Sequence, residues 1–206
     1  MGYLKLLGLT ATTTLALTAL VGLDSASAVT FCEENVATGC KVHVNAGATI
    51  DLSAEDSIKL SGPFGIVFST CTESTNQLKT TNTGADDLGT AVVAHSESLT
   101  FSGCTRPTTV GNGGTWSVTA SGTTGNASVT STGTTVTIHE LPNIVGNPST
   151  CAYTTNNTAL GTLTASATAT TFDISATITS ETANCPSGTW SGHYTNTGTR
   201  VLAFSH

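Results

Sequence analysis

Positive charge is what this sequence most conspicuously lacks. Lysine and arginine together number 6 in 206 residues, and only 9% of the chain is charged, against about 25% in ordinary globular proteins. With Lys5 set aside in the N-terminal segment considered below, the cations are Lys41, Lys59, Lys79, Arg106 and Arg200. Scattered singly under a net charge of -7, they cannot build the basic groove that nucleic acid or an anionic membrane surface requires. Neither is expected as a partner.

Long apolar runs are also missing, apart from one near the N-terminus. Leu6 to Leu23 is apolar but broken by Thr10, Thr12, Thr13, Thr14 and Thr18, which rules out a membrane span. Lys5 precedes it and Ala26-Ser27-Ala28 follows, the order of a secretory signal peptide over residues 1–28, with cleavage leaving Val29 first. A lipoprotein signal would need a cysteine directly after the cut, where Val29-Thr30-Phe31 intervenes before Cys32. Residues 29–206 are therefore expected to be secreted and extracellular, with no membrane span.

Helical periodicity is absent as well. Polarity is carried by Ser, Asn, Gly and above all Thr, about a fifth of all residues, and β-branched threonine suits a pleated, half-buried surface. Apolar residues recur every second position: Phe64, Ile66 and Phe68; Leu99 and Phe101; Trp116, Val118 and Ala120; Val136 and Ile138; then Gly161–Ala169, Phe172–Ile178, Trp190 with Tyr194, and Leu202 with Phe204. Turn signals such as Gly62-Pro63, Gly111-Asn112-Gly113-Gly114, Gly122, Gly125-Asn126 and Gly146-Asn147-Pro148 separate these runs. About ten or more short strands at this spacing predict an all-β, antiparallel sandwich or barrel. The one helical candidate is Ser53 to Lys59, in competition with a strand starting at Ile58.

Catalytic signatures are missing too. His43, His95, His139, His193 and His206 lie far apart, without the spacing of a metal site, and no Gly-x-Ser-x-Gly elbow occurs. Alternation points His139 and Glu140 to opposite faces. The acidic residues cluster as Glu33-Glu34, Glu55-Asp56 and Asp86-Asp87, a pattern of solvated loop charge, with Asn82 to Asp87 a weak calcium candidate. No catalytic residue, metal site or cofactor is assigned.

What the chain does have is six cysteines: Cys32, Cys40, Cys71, Cys104, Cys151 and Cys185. An even count behind an export signal reads as three disulfides. Both tryptophans sit in one tetrapeptide, Gly114-Thr115-Trp116-Ser117 and Gly188-Thr189-Trp190-Ser191, each after a similarly spaced cysteine pair. The match suggests two related β-units, 60–120 and 140–206, and favours pairing sequence neighbours: Cys32–Cys40, Cys71–Cys104 and Cys151–Cys185. An immunoglobulin domain would put its tryptophan between paired cysteines, and here each tryptophan follows its pair. Trp116, Trp190 and Tyr194 are the candidate ligand-binding side chains, able to stack on sugar rings if exposed. The competing placement, and the expected one for the tryptophans, is in the core.

The runs Phe101-Ser102-Gly103-Cys104, Thr150-Cys151-Ala152-Tyr153 and Cys185 to Thr195 resemble those of small, secreted, Thr/Gly-rich actinobacterial proteins, over most of the chain beyond about Leu60. More distantly the layout is similar to secreted proteins named as activators of alkane oxidation. The resemblance implies an all-β secreted fold and a surface-active or biofilm-associated role, and carries over no catalytic residue. The expected function is a secreted, non-catalytic surface or binding protein whose extracellular ligand is a carbohydrate or a cell-envelope component. The alternatives are a secreted hydrolase with a loop-assembled site and a structural component of a surface or biofilm layer.

Overall fold

The computed structural model describes residues 30–36, 39–62, 65–82, 91–121, 126–142, 147–165, 170–198 and 203–205. The segment expected to be the signal and the calcium candidate's 83–87 lie outside them. Everything regular among the described residues is β-strand. A small antiparallel sheet joins β1 (Thr30–Val36), β2 (Gly39–His43) and β16 (Ala203–Ser205) in the order β16-β1-β2. It carries Cys32 and Cys40, whose side chains lie outside the described ones.

The remaining strands are laid down as a meander of long ribbons, most of them kinked once. β3 (Thr49–Ala54) and β4 (Ile58–Ser61) run in succession along a single partner, β15 (Gly188–Asn196): Asn196 to Tyr194 face Leu52 to Ala54, and Ser191 to Thr189 face Lys59 to Ser61. The helical candidate is thus an interruption between two strands, because Ile50, Leu52, Ile58 and Leu60 alternate into the core and helical spacing would turn them to different faces. β5 (Val67–Cys71) and β6 (Glu73–Thr80) return along β4 and β3. β7 (Val92–Ser102) follows. β8 (Thr108–Asn112) with β9 (Thr115–Ser121), β10 (Asn126–Thr132) with β11 (Thr135–Pro142), and β12 (Pro148–Thr154) with β13 (Thr158–Ala165) form three more kinked ribbons. β14 (Thr170–Ser180) then pairs with β13, β12 and β15.

Pairing runs β3-β6-β7-β9-β10-β13-β14-β15 and back to β3, which closes an eight-stranded antiparallel barrel. β4, β5, β8, β11 and β12 extend it at one end. The kinks have a local cause. Gly114, Gly133 and Asn157 stand at three of them with φ of 75, 77 and 50, left-handed values that glycine and asparagine tolerate best. A Cβ on Gly114 would lie 2.5 Å from the Thr134 backbone nitrogen, so two kinks approach more closely than a side chain permits.

Threonine and serine hydroxyls stitch these kinks together. Ser131 Oγ lies 2.7 Å from Thr134 Oγ1 and 3.0 Å from Thr155 Oγ1, while Thr134 Oγ1 donates to the Gly113 carbonyl at 2.7 Å. All three hydroxyl residues are buried, and buried hydroxyls must be paired. The abundance of threonine therefore serves the interior as well as the surface.

Burial alternates along β6 over all 8 residues and along most of β14. Glu73, Thr75, Gln77, Lys79, Asp173, Ser175, Thr177 and Thr179 face outward, the reverse of the apolar outer band of a lipid-spanning barrel. Inside, Trp116 meets Phe172 at 5.7 Å and Trp190 at 6.5 Å, Trp190 meets Phe101 at 5.9 Å, and Phe172 meets Tyr194 at 6.4 Å. The segments 60–120 and 140–206 thus send their tryptophans into one shared core.

Two disulfides secure the extended end. Cys71–Cys104 and Cys151–Cys185 pair as sequence neighbours, as the spacing predicts. Among the described residues no ladder joins β7 to β8: pairing on that side ends at His95 with Thr115 and a bond from Ser96 N to the Gly114 carbonyl. The connection 103–107 spans the resulting gap between the sheet's two edge strands. Thr105 N donates to Thr70 O at 2.8 Å, His139 N donates to Pro107 O at 2.9 Å, and the Arg106 guanidinium donates to the carbonyls of Phe68 and Glu140.

Candidate functional site

At the extended end, β4 and β5 face β8, β11 and β12 across an apolar cavity of about 40 Å³. Leu60, Cys71, Phe101, Ile138, Tyr153, Ile178 and Trp190 form much of its wall, with Ser69, Thr108, Thr134, Thr154 and Thr155 among them. No lining residue carries a charge. Tyr153 is kept neutral, since burial pushes its phenol up to about 12, and its hydroxyl donates to the Pro186 carbonyl at 3.0 Å. A second void of about 20 Å³ inside the barrel, lined by Val44, Ile50, Leu78 and Val118 among others, is wholly aliphatic and reads as imperfect packing.

The two voids differ in their polar accounting. Among the described buried side chains, three polar atoms have no hydrogen-bond partner: Ser69 Oγ, Trp190 Nε1 and Asn76 Nδ2. The first two belong to residues that line the larger cavity. Register explains why they sit together, because Trp190 pairs with Leu60 and Leu60 with Ser69 in one cross-strand row over β15, β4 and β5. Each unpaired buried group costs about 1–3 kcal/mol, so two in one wall is a feature needing a physical reason.

The three aromatic candidates separate clearly. Trp116, Trp190 and Tyr194 are 1%, 5% and 1% exposed, so none offers a surface on which a sugar ring could stack. Trp116 donates to the Gly113 carbonyl at 3.0 Å. Tyr194 donates to Ser74 Oγ at 2.8 Å, and burial raises its pKa well above the ordinary value despite that bond. Of the three, Trp190 alone lines the cavity. Ser69 carried no signal in the sequence, being one hydroxyl residue among many, and Phe101 was legible only as a strand residue.

A second cluster lies on the outer face. His193 on β15 pairs in register with Asp173 on β14, with Nδ1 2.5 Å from Asp173 Oδ1 and Nε2 3.1 Å from Glu55 Oε2. Hydrogen bonding to Asp173 is the main cause of a raised pKa; partial burial opposes it, and the charges of Asp173, Glu55 and Asp56 add to it. A hydrolytic base needs a free imidazole nitrogen facing its nucleophile. Here both nitrogens are held by carboxylates that favour the imidazolium, the geometry of an ion clamp. His139 lies elsewhere, its Nδ1 3.3 Å from Thr150 Oγ1.

No protein-family model, curated protein or solved structure matches this chain.

Proposed function

We propose that the chain is exported and acts outside the cytoplasm as a non-catalytic binding protein, with the cavity at the extended barrel end as its site. One observation carries this reading: an uncharged, almost wholly apolar cavity enclosed between β4 and β5 on one side and β8, β11 and β12 on the other. Ligand sites are concave and lined mainly by apolar and aromatic side chains, as Leu60, Phe101, Tyr153, Ile178 and Trp190 line this one. An eight-stranded barrel of this kind has an interior just wide enough to fill with side chains or to hold one small ligand. Two disulfides fit an oxidising compartment, and the pattern of residues 1–28 supplies the export signal. With Trp116, Trp190 and Tyr194 buried, a small molecule suits the site better than a carbohydrate chain stacked on aromatic side chains.

The protein recovered from culture supernatant should begin at Val29. Small-molecule screening by protein NMR should move resonances of Ile178, Tyr153 and Trp190, while a broad hydrolase panel stays at background. Turnover abolished by His193→Ala in a folded protein would reverse the reading in favour of a hydrolase.

A further inference from the structure

We propose that Asn112-Gly113 is a site of self-modification, at which the folded protein loses the Asn112 side-chain amide to the following backbone nitrogen and acquires an isoaspartate linkage. The proposal is independent of the cavity and of what it binds.

Sequence singles out the position. Of all the asparagines in the chain, Asn112 alone is followed by glycine. Attack on a side-chain amide requires the next residue's nitrogen to turn towards it, and glycine has no Cβ to obstruct that approach. Every other asparagine precedes a residue with a side chain, and Asn147 precedes Pro148, which has no N–H to give up.

The fold then poises the pair. Asn112 is exposed and is the last residue of β8, with Gly113 in the kink beyond it. Its Oδ1 accepts from Gly114 N at 2.9 Å, an Asx turn that folds the side-chain carbonyl back over the Gly113 peptide. The same bond draws electron density from the amide carbon, which favours a nucleophile.

The reaction balances with water alone. Hydroxide removes the Gly113 N–H proton, the nitrogen bonds to Asn112 Cγ, and the Cγ–Nδ2 bond breaks. Nδ2 takes a proton from solvent and leaves as ammonia, and a cyclic imide remains. Water then opens the ring. Opening at Cγ gives aspartate; opening at the main-chain carbonyl routes the backbone through Cγ and inserts a methylene between residues 112 and 113. Water enters, ammonia leaves, and nothing is oxidised or reduced.

The kink has no slack for that methylene. The Gly113 carbonyl accepts from Trp116 Nε1 at 3.0 Å and from Thr134 Oγ1 at 2.7 Å. A Cβ on Gly113 would lie 2.2 Å from Ser96 Oγ and 2.7 Å from the Ser96 carbonyl oxygen, so the glycine cannot retreat towards β7. Lengthening the backbone here must strain or break bonds that satisfy an indole N–H and a buried hydroxyl.

The test is to hold the mature protein, disulfides intact, in mildly alkaline heavy-oxygen water and to map its peptides over time. Asn112 should react ahead of every other asparagine, at a rate proportional to hydroxide, with heavy oxygen at residue 112 and isoaspartate in excess over aspartate. Aged protein should melt about 2–4 °C lower for each hydrogen bond lost at the Gly113 carbonyl, and its Trp116 indole N–H should exchange faster. Asn112→Asp adds the charge without the methylene and keeps an acceptor for Gly114 N; it should melt near the unaged protein. Asn112→Ser keeps an acceptor but has no amide to lose, and should not age. Another asparagine reacting first, or Asn112 reacting only in step with global unfolding, would overturn the proposal. Isoaspartate that forms without lowering the melting point would overturn its coupling to the kink. A melting loss reproduced in full by Asn112→Asp would overturn the role given to the methylene.

Discussion

Removing the Cys71–Cys104 disulfide should cost stability without unmaking the barrel. The bond closes a loop with a sequence separation of 33. Chain-entropy arithmetic for a loop of that length gives about 12.5 cal/mol/K, or about 3.7 kcal/mol at 25 °C. At about 2–4 °C per kcal/mol for a protein of this size, the double variant Cys71→Ala/Cys104→Ala should melt about 7–15 °C lower. The folded end has other ties between the same segments, through Thr105 N to Thr70 O and Arg106 to the Phe68 carbonyl. Most of the loss should therefore come from a less constrained unfolded chain. Calorimetry and urea unfolding measure the total, and amide exchange at Thr105 separates the two origins. If the entropic account holds, Thr105 exchange accelerates in step with global unfolding. A melting shift below about 2 °C would refute it, the expected value being several-fold larger. Fast exchange confined to Thr105 and its neighbours would show that the staple acts in the folded state, by keeping the edge strands together.

Trp116→Ala should cost about 3–5 kcal/mol, read as poor secretion or a low urea midpoint, because the ring touches both Phe172 and Trp190; a well-folded variant would place the core elsewhere. Gly161→Ala puts a Cβ 1.9 Å from the Asp173 carbonyl oxygen, and forcing β13 from β14 should cost about 1–3 kcal/mol on a urea titration. For the His193 clamp the sign follows from its raised pKa: its contribution is complete below the unfolded-state value of about 6.5, and it fades as pH rises through the folded value. With the His193 side chain 32% exposed and its partners more so, the effect should stay under about 1 kcal/mol. A wild-type-minus-His193→Ala stability difference that grows towards alkaline pH would contradict it.

Local sequence determined the strand character wherever one face is apolar. Phe172, Ile174, Ala176 and Ile178 alternate with polar neighbours and all four are buried, because side-chain direction in a strand has a period of two regardless of what the strand pairs with. Cysteine spacing likewise anticipated both described disulfides. β6 was not legible, since its inward face carries Ser74, Asn76 and Thr80 beside Leu78, and a strand polar on both faces has no hydrophobic period. The Ser53–Lys59 stretch misled for a related reason: its polar residues fill a break between two strands that only β15 aligns. Barrel and sandwich could not be told apart either, because closure depends on Leu52 meeting Asn196, a contact between the two ends of the meander. The sharpest case is the pair of tryptophans. Two identical tetrapeptides give two buried rings in contact, and what separates them is the backbone opposite. A kink presents the Gly113 carbonyl to Trp116; across from Trp190 stand Leu60 and Ser69 in paired strands, whose carbonyls are already committed to the ladder.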